Sequence, residues 1–262
     1  VFLFYINIFY YFTKITNSYF FCYLFFCGAN LLLLERGNVD IIIIVLLFYT
    51  LLSKNKFLNY IGYLLSSLLK FYPAFSLLFF LNNKRSISTI FFLSIIFITY
   101  LFFVREDIQN ISLVNPVNGH SSYGFLSIII NIKNYFNIDL NYILFVVANL
   151  LIVLIMYYFL LKEKLAKINF QHSNIFLIGG GIFIFTFMIN SHHDYRMMFL
   201  IFCVPLALML KNNNFKFFYL IIIILALELQ RLLFVFDFLG GSINTLSKLI
   251  LFYITSIIYL NI

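Results

Sequence analysis

The sequence predicts an all-α, polytopic membrane protein with about 9–11 transmembrane or re-entrant helices. Hydrophobic residues make up 64% of the 262-residue chain, and its mean hydropathy is +1.04. The 26 charged residues lie mostly at the ends of long apolar runs. Helices satisfy their own backbone hydrogen bonds, so apolar runs of this kind cross lipid as helices. These observations exclude a soluble domain.

Charge separates the two ends of the predicted helices. Threading the runs as alternating spans places ten of the 17 basic residues in five loops on one face. The basic loops contain Lys14, Lys54, Lys56, Lys84, Arg85, Lys162, Lys164, Lys167, Lys211 and Lys216. Such loops mark the cytoplasmic side of a membrane protein. The net charge of +8 therefore reflects topology, and we expect membrane lipid rather than nucleic acid as a partner.

The spans follow one another without a linker, so we predict one multi-pass domain over residues 1–262. The predicted spans are 1–12, 19–34, 40–53, 57–69, 71–81, 87–104, 140–161, 175–190, 197–210, 215–228 and 243–260. Residues 57–81 allow two readings, one helix kinked at Pro73 or two short helices meeting at residues 70–73. Proline disfavours helical structure at the preceding residue, and the charge pattern favours two helices.

The longest predicted loop covers residues 105–139 on the face opposite the basic loops. It contains the turn-forming sequences Asn115-Pro116 and Asn118-Gly119. Residues 123–136 are apolar but short, which predicts a re-entrant or interfacial helix within this extracytoplasmic loop. Arg105, Glu106, Asp107 and His120 are interpreted as solvated loop residues.

Small and sulfur-containing residues are interpreted as packing residues. Cys22, Cys27 and Cys203 lack metal-ligand spacing, and Gly179-Gly180-Gly181 lacks the Lys-Ser/Thr of a phosphate loop. Glycines within a span let helices approach closely. We therefore predict no metal site, no cofactor and close helix packing at the glycine triplet.

Three polar clusters interrupt apolar runs on the face opposite the basic loops. The first, residues 35–40, holds Glu35, Arg36, Asn38 and Asp40, with Asp40 directly against a span. Ionisable groups at membrane depth are costly and usually functional.

The second and third clusters supply cations. Lys70 and Tyr72 lie at the predicted helix break, where a lysine fits a phosphate as a point charge. Residues 192–196 include His193, Asp194, Tyr195 and Arg196. Arginine suits bidentate phosphate recognition, whereas adjacent histidines diverge on a helix and make a zinc site improbable.

The order of these clusters carries a family resemblance. The sequences ERGNVDIII at 35–43, LLKFYPA at 68–74 and DYR at 194–196, followed by Pro205, resemble the polytopic GT-C glycosyltransferases. The nearest group is glycosyltransferase family 87, the polyprenyl-phosphate-dependent mannosyltransferase-like proteins. The resemblance covers roughly residues 29–210, and the order and spacing of these short motifs carry it.

The resemblance implies transfer of a hexose from a polyprenyl-phosphate-linked donor to a lipid-linked or glycan acceptor, without metal or nucleotide. The implied location is the extracytoplasmic face of a bacterial or archaeal plasma membrane. Lys70, Arg196 and Arg36 would bind the donor phosphate, and Asn38, Tyr72, Tyr195 and His193 the substrate. Such enzymes use an acidic general base in the first extracytoplasmic loop, but no acidic residue precedes Glu35.

Two explanations for the missing base stay open, and so do other functions. We expect an amino-terminally truncated chain with the base upstream of residue 1; alternatively Glu35, Asp40 or Asp194 acts as the catalytic residue. A transporter or flippase for lipid-linked sugars is the rival class, because broken helices with ionisable residues also occur there. A polymerase or ligase of surface polysaccharide shares the same face chemistry.

Overall fold

The computed structural model describes residues 1–53, 55–77, 87–103, 122–160, 170–189, 192–210, 212–232 and 237–262. The α-helices are α1 (Phe2–Thr16), α2 (Phe20–Phe26), α3 (Gly28–Glu35), α4 (Asp40–Leu52), α5 (Lys56–Leu69), α6 (Ile87–Phe103), α7 (Phe125–Phe136), α8 (Tyr142–Leu160), α9 (Phe170–Ile189), α10 (Val204–Leu208), α11 (Asn213–Leu232) and α12 (Asp237–Asn261). Two 3-10 helices cover Tyr72–Leu77 and Asp194–Phe202. The predicted all-α class is confirmed.

The only strands in the described part of the chain are two residues long. β1 (Ser122–Tyr123) pairs antiparallel with β2 (His192–His193), so that Tyr123 lies opposite His192. The pair joins the end of the long predicted loop to the start of the second 3-10 helix. It brings the segment before α7 beside the segment that carries Arg196.

Two described helices are long and apolar enough to cross a membrane. They contain Tyr142–Phe159, with a mean hydropathy of 2.4, and Ser242–Asn261, with 1.5. Shorter apolar helices of 10–17 residues include Asp40–Leu52, Phe57–Leu69, Phe91–Tyr100, Phe125–Phe136 and Ser173–Ile189. The predicted helix over residues 123–136 is present as α7, while residues 104–121 lie outside the described part.

The predicted single span over residues 19–34 is wrong, because the chain forms two short helices that break at Cys27. Cys27 is extended, with φ −66° and ψ 155°. The Asn30 side-chain amide donates to the Phe25 carbonyl at 2.7 Å, and Glu228 Oε1 accepts from the Gly28 N–H at 3.2 Å. Side chains thus replace backbone hydrogen bonds lost at the break, which an apolar environment requires.

The predicted α-helix over residues 197–210 is also wrong. Residues 194–202 form a 3-10 helix, and only Val204–Leu208 is α-helical. Pro205 lies in the first turn of this short helix, where its missing N–H costs no hydrogen bond.

The break at residues 70–73 is confirmed, although the segment after it is a 3-10 helix rather than the predicted α-helix. Lys70 is extended, with φ −151° and ψ 148°. The Tyr63 hydroxyl donates to the Ala74 carbonyl at 2.8 Å, so the 3-10 helix folds back beside α5. Whether both flanking basic loops share a face concerns residues 54, 84 and 85, which lie outside the described part.

Candidate functional site

Asp40 lies at the centre of a polar cluster formed by three distant segments. It is the first residue of α4, and its side chain is 0% exposed. The chain turns from α3 into α4 through Gly37, whose φ of 54° favours glycine. The Asn38 Oδ1 accepts from the Asp40 N–H at 3.1 Å. A carboxylate at a helix amino terminus is stabilised by the unpaired N–H groups there.

Lys70 reaches Asp40 from the junction between α5 and the first 3-10 helix. Its ammonium donates to Asp40 Oδ1 at 2.5 Å and to Asn38 Oδ1 at 2.9 Å. Burial lowers the pKa of Lys70, while the Asp40 carboxylate opposes that shift and Arg196 adds to it. The Lys70 side chain is 23% exposed, so the ammonium stays within reach of a ligand.

Tyr72, in the first turn of the 3-10 helix, supplies a third contact with the carboxylate. Its hydroxyl donates to Asp40 Oδ1 at 2.5 Å. The ring packs edge-on against Phe199, with centroids 5.3 Å apart. A buried tyrosine with a charged acceptor holds a fixed orientation.

Arg196 approaches from the second 3-10 helix. Its Nε lies 3.7 Å from Asp40 Oδ2, and its guanidinium carbon lies 5.5 Å from the centre of the Tyr72 ring. This distance is within the range of a cation–π interaction. Tyr72 and Arg196 therefore fix one another as well as Asp40.

Asp40 and the residues that contact it carry one negative and two positive charges. Asp40 Oδ1 accepts two hydrogen bonds, whereas Oδ2 accepts none from the described residues. Two cations held by one carboxylate leave a net positive charge, which favours an anionic ligand. We call Asn38, Asp40, Lys70, Tyr72 and Arg196 the Asp40 cluster.

The glycine triplet of α9 brings both 3-10 helices close enough to form this cluster. A Cβ at Gly179 would lie 2.5 Å from the Phe199 carbonyl oxygen, and one at Gly181 would lie 2.8 Å from the Phe75 carbonyl oxygen. Gly179 thus allows close approach of the helix that carries Arg196. Gly181 does the same for the helix that carries Tyr72. The predicted packing role of the triplet is confirmed.

The other predicted site residues are placed differently. Glu35 and Arg36 are exposed at the end of α3. The backbone of residues 192–195 is described, but the side chains of His193, Asp194 and Tyr195 lie outside the described part. Their roles, like the catalytic or binding roles of the Asp40 cluster, stay predictions.

Sequence reasoning missed two supporting features of this site. Phe199 lies in an apolar run without any signal of its contact with Tyr72. The prediction for the glycine triplet named close packing but not its partners. The partners belong to segments that the hydrophobic pattern described as ordinary spans.

Comparison with protein-family models, with curated proteins and with solved structures gave no match for the chain.

Proposed function

We propose that the protein is a multi-pass membrane glycosyltransferase with a GT-C-like fold. In this proposal it transfers a hexose from a polyprenyl-phosphate-linked donor to a lipid-linked or glycan acceptor. The observation that carries the proposal is the Asp40 cluster, in which Lys70 and Arg196 flank one buried carboxylate. Two cations beside each other match the charge of a lipid phosphate.

Placement in a membrane is supported by the distribution of apolar side chains. α8 is apolar along its length, and only 11% of residues 142–159 are buried within the protein. On α6, Phe91, Ile98 and Phe102 are exposed. Exposed apolar surface of this extent suits contact with lipid rather than water. The shorter helices would require thinned bilayer or shielding by neighbouring helices.

The sidedness of the chain supports an extracytoplasmic site. Asp40 begins α4, whereas the basic residues Lys54 and Lys56 follow the other end of that helix. Basic loops mark the cytoplasmic side, so the Asp40 cluster would face outward. A bacterial or archaeal plasma membrane fits this orientation.

The proposed reaction is a displacement at the anomeric carbon of the donor sugar. The acceptor hydroxyl oxygen forms the new bond, the bond from the anomeric carbon to the phosphate oxygen breaks, and polyprenyl phosphate leaves. Lys70 and Arg196 would stabilise the negative charge that develops on the leaving phosphate. A carboxylate outside the Asp40 cluster would take the hydroxyl proton; Glu35 and Asp194 are the candidates.

The test is a transfer assay in membranes with a radiolabelled polyprenyl-phosphate hexose and the full-length protein. We expect Lys70→Ala and Arg196→Ala each to lower transfer about 100-fold, the effect typical of losing one charge-stabilising donor. Lys133→Ala is the matched control. Lys133 also pairs with an aspartate, Asp139, at 2.7 Å, but its side chain is 59% exposed. Unchanged transfer in both cluster variants would refute the donor site.

A transporter or flippase for lipid-linked sugars is the second candidate. The observation that favours it is the break between α2 and α3 beside Glu228, because discontinuous helices with ionisable neighbours form transport sites. The same assay separates the two functions. Consumption of the labelled donor with formation of a new product supports the enzyme, and movement of intact donor across the membrane supports the transporter.

A further inference from the structure

A cavity lies between α1, α4 and α9, and none of its lining residues belongs to the Asp40 cluster. Its volume is about 50 Å³, and its lining includes Tyr11, Phe12, Phe48, Leu52 and Asn174. One water molecule needs roughly 10–15 Å³ of such volume, so the cavity holds about three or four groups of that size. A short stretch of a chain molecule fits this space, with the rest of the molecule outside.

Packed aromatic rings form the closed end of the cavity. Phe12 is 0% exposed and Phe48 is 1% exposed, and their rings meet edge to face with centroids 5.5 Å apart. Phe202, at the end of the second 3-10 helix, packs edge-on against Phe12 at 6.1 Å. Buried rings that three segments hold against one another keep their positions, so the cavity exists before any ligand binds.

The cavity opens where its lining is exposed. Leu52, the last residue of α4, is 38% exposed, and Tyr11 and Leu51 are half-buried. An exposed apolar side chain at the opening of a membrane protein suits contact with lipid. A lipid beside the protein therefore reaches the cavity without displacing the buried rings.

Basic residues follow the lining residues on both helices at the opening. Lys14 lies in the last turn of α1 and is exposed. It follows Tyr11 by three residues, and side chains three residues apart share one face of a helix, with Cβ atoms about 5–6 Å apart. Lys54 and Lys56 come directly after the end of α4 at Leu52. The opening therefore has cations beside an apolar rim.

No acidic residue accompanies these lysines along the chain. The sequence contains none in 1–34 or 41–105, and Asp40 lies at the opposite end of α4. The basic loops mark the cytoplasmic side, where a plasma membrane carries anionic lipids. Basic pockets between membrane helices on that side bind anionic head groups. Charge thus favours an anionic lipid over a neutral one.

We propose that this cavity binds one anionic glycerophospholipid from the cytoplasmic leaflet. The Lys14 ammonium pairs with the lipid phosphate, and the cavity takes the ester end of one acyl chain, whose remainder lies along Leu52. Lys14 lies about 4.5 Å nearer the end of α1 than Tyr11 does, at 1.5 Å per residue. This order matches the lipid, whose phosphate lies outside its ester groups. The site is independent of the transferase proposal, because it lies at the end of α4 opposite Asp40.

Native mass spectrometry of the full-length protein tests the assignment without requiring turnover. The protein is released from nanodiscs that contain phosphatidylcholine and phosphatidylglycerol in equal amounts, and the retained lipids are counted. We expect one tightly retained phosphatidylglycerol per wild-type chain. Lys14→Gln should weaken its binding about tenfold, the effect of losing one hydrogen bond to a charged group. Leu52→Trp, which fills the opening, should abolish its retention.

Two matched controls make the same kinds of change on α11. Lys216→Gln removes a half-buried lysine of the predicted basic loops, and Ile221→Trp enlarges a side chain that is 51% exposed. Neither residue lines the cavity, so both variants should retain the lipid as the wild type does. An equal loss in Lys14→Gln and Lys216→Gln would overturn the site, because it would reflect general surface charge.

The other outcomes also decide the proposal. Unchanged phosphatidylglycerol binding in either Lys14→Gln or Leu52→Trp would overturn it. Equal retention of phosphatidylcholine and phosphatidylglycerol would overturn the preference for an anionic lipid. Displacement of the bound lipid by millimolar glycerol 3-phosphate would overturn the role of the cavity, because that soluble head group has no acyl chain to place there.

Discussion

A methyl group at Gly179 should disturb the Asp40 cluster from the far side of the second 3-10 helix. In Gly179→Ala the added Cβ would lie 2.5 Å from the Phe199 carbonyl oxygen and 2.7 Å from the Phe202 Cβ. Non-bonded carbon–oxygen contacts have a distance of about 3.3 Å, so the backbone of the second 3-10 helix must move by about 0.8 Å. Phe199 contacts Tyr72, and the same helix carries Arg196.

The size of the effect follows from two opposing terms. Inserting a methyl group into a packed core typically costs about 1–3 kcal/mol. Replacing a helical glycine by alanine stabilises the helix by about 1 kcal/mol. Because the methyl group meets backbone, which yields less than a side chain, the cost lies in the upper half of that range. We therefore expect a net loss of roughly 1–2 kcal/mol in unfolding free energy, or about 2–8 °C in melting temperature. A displacement near 1 Å can cost about 100-fold in catalysis, so transfer should fall more steeply than stability.

Gly180→Ala is the matched control, because it adds the same methyl group one residue away. Its Cβ would meet only side chains, at 3.1 Å from the Phe176 ring and 3.3 Å from the Tyr259 ring. Rings can shift by the few tenths of an ångström required, so we expect a melting temperature within about 2 °C of wild type. Thermal unfolding in detergent and transfer in membranes measure the pair. Equal behaviour of the two variants would refute the idea that backbone contact at Gly179 positions the cluster.

Three further predictions concern single contacts. Burial lowers the pKa of Lys70, so its ammonium should lose the proton, and donor binding should weaken, as the pH rises toward the ordinary lysine value of about 10.5. The free energy of unfolding should rise across the same pH window, since the unfolded chain binds the proton more tightly. Lys70→Arg should bind the donor independently of pH there, and an equal alkaline loss of binding in both proteins would contradict this. Tyr72→Phe removes one hydrogen bond to Asp40 and should lower the unfolding free energy by about 1.5–3 kcal/mol. It should change donor affinity less than Lys70→Ala does, which titration with undecaprenyl phosphate measures. Glu228→Leu removes the acceptor of the Gly28 N–H and should lower the unfolding free energy by about 1–3 kcal/mol. Glu228→Gln keeps an acceptor oxygen and should lower it less. Equal melting temperatures of the two variants would exclude this capping role of Glu228.

The sequence alone allowed the three polar clusters to be placed on one face. Charge sorting does this because basic loops fix alternate ends of the helices, and the remaining ionisable groups then share the other end. The structure brings Lys70 and Arg196 each within contact distance of Asp40. Glu35, also predicted for the site, is exposed at the end of α3. The predicted side of the membrane limits which residues can belong to one site. Which of their side chains touch depends on the rotation of each helix about its axis, and a continuously apolar run does not determine that rotation.

The break at Cys27 and the 3-10 form of residues 194–202 could not be predicted from the sequence, and the reason is physical. Residues 19–34 form one apolar run, and Gly28 within it is tolerated in membrane helices. The break at Cys27 is stabilised by Glu228, a residue 200 positions away from Gly28. The 3-10 form of residues 194–202 likewise occurs where its backbone closely approaches Gly179. Both features depend on tertiary contacts that hydropathy does not encode.

The geometry of the Asp40 cluster argues that this carboxylate positions cations rather than acting as the general base. Its Oδ1 already accepts hydrogen bonds from Lys70 and Tyr72, and its Oδ2 faces the Arg196 guanidinium. Taking up a proton would remove the negative charge that holds two cations together inside the protein, where their repulsion is strong. Asp40→Asn should therefore reduce donor affinity as well as turnover. A pure base would lose turnover alone, with donor affinity unchanged in the undecaprenyl phosphate titration.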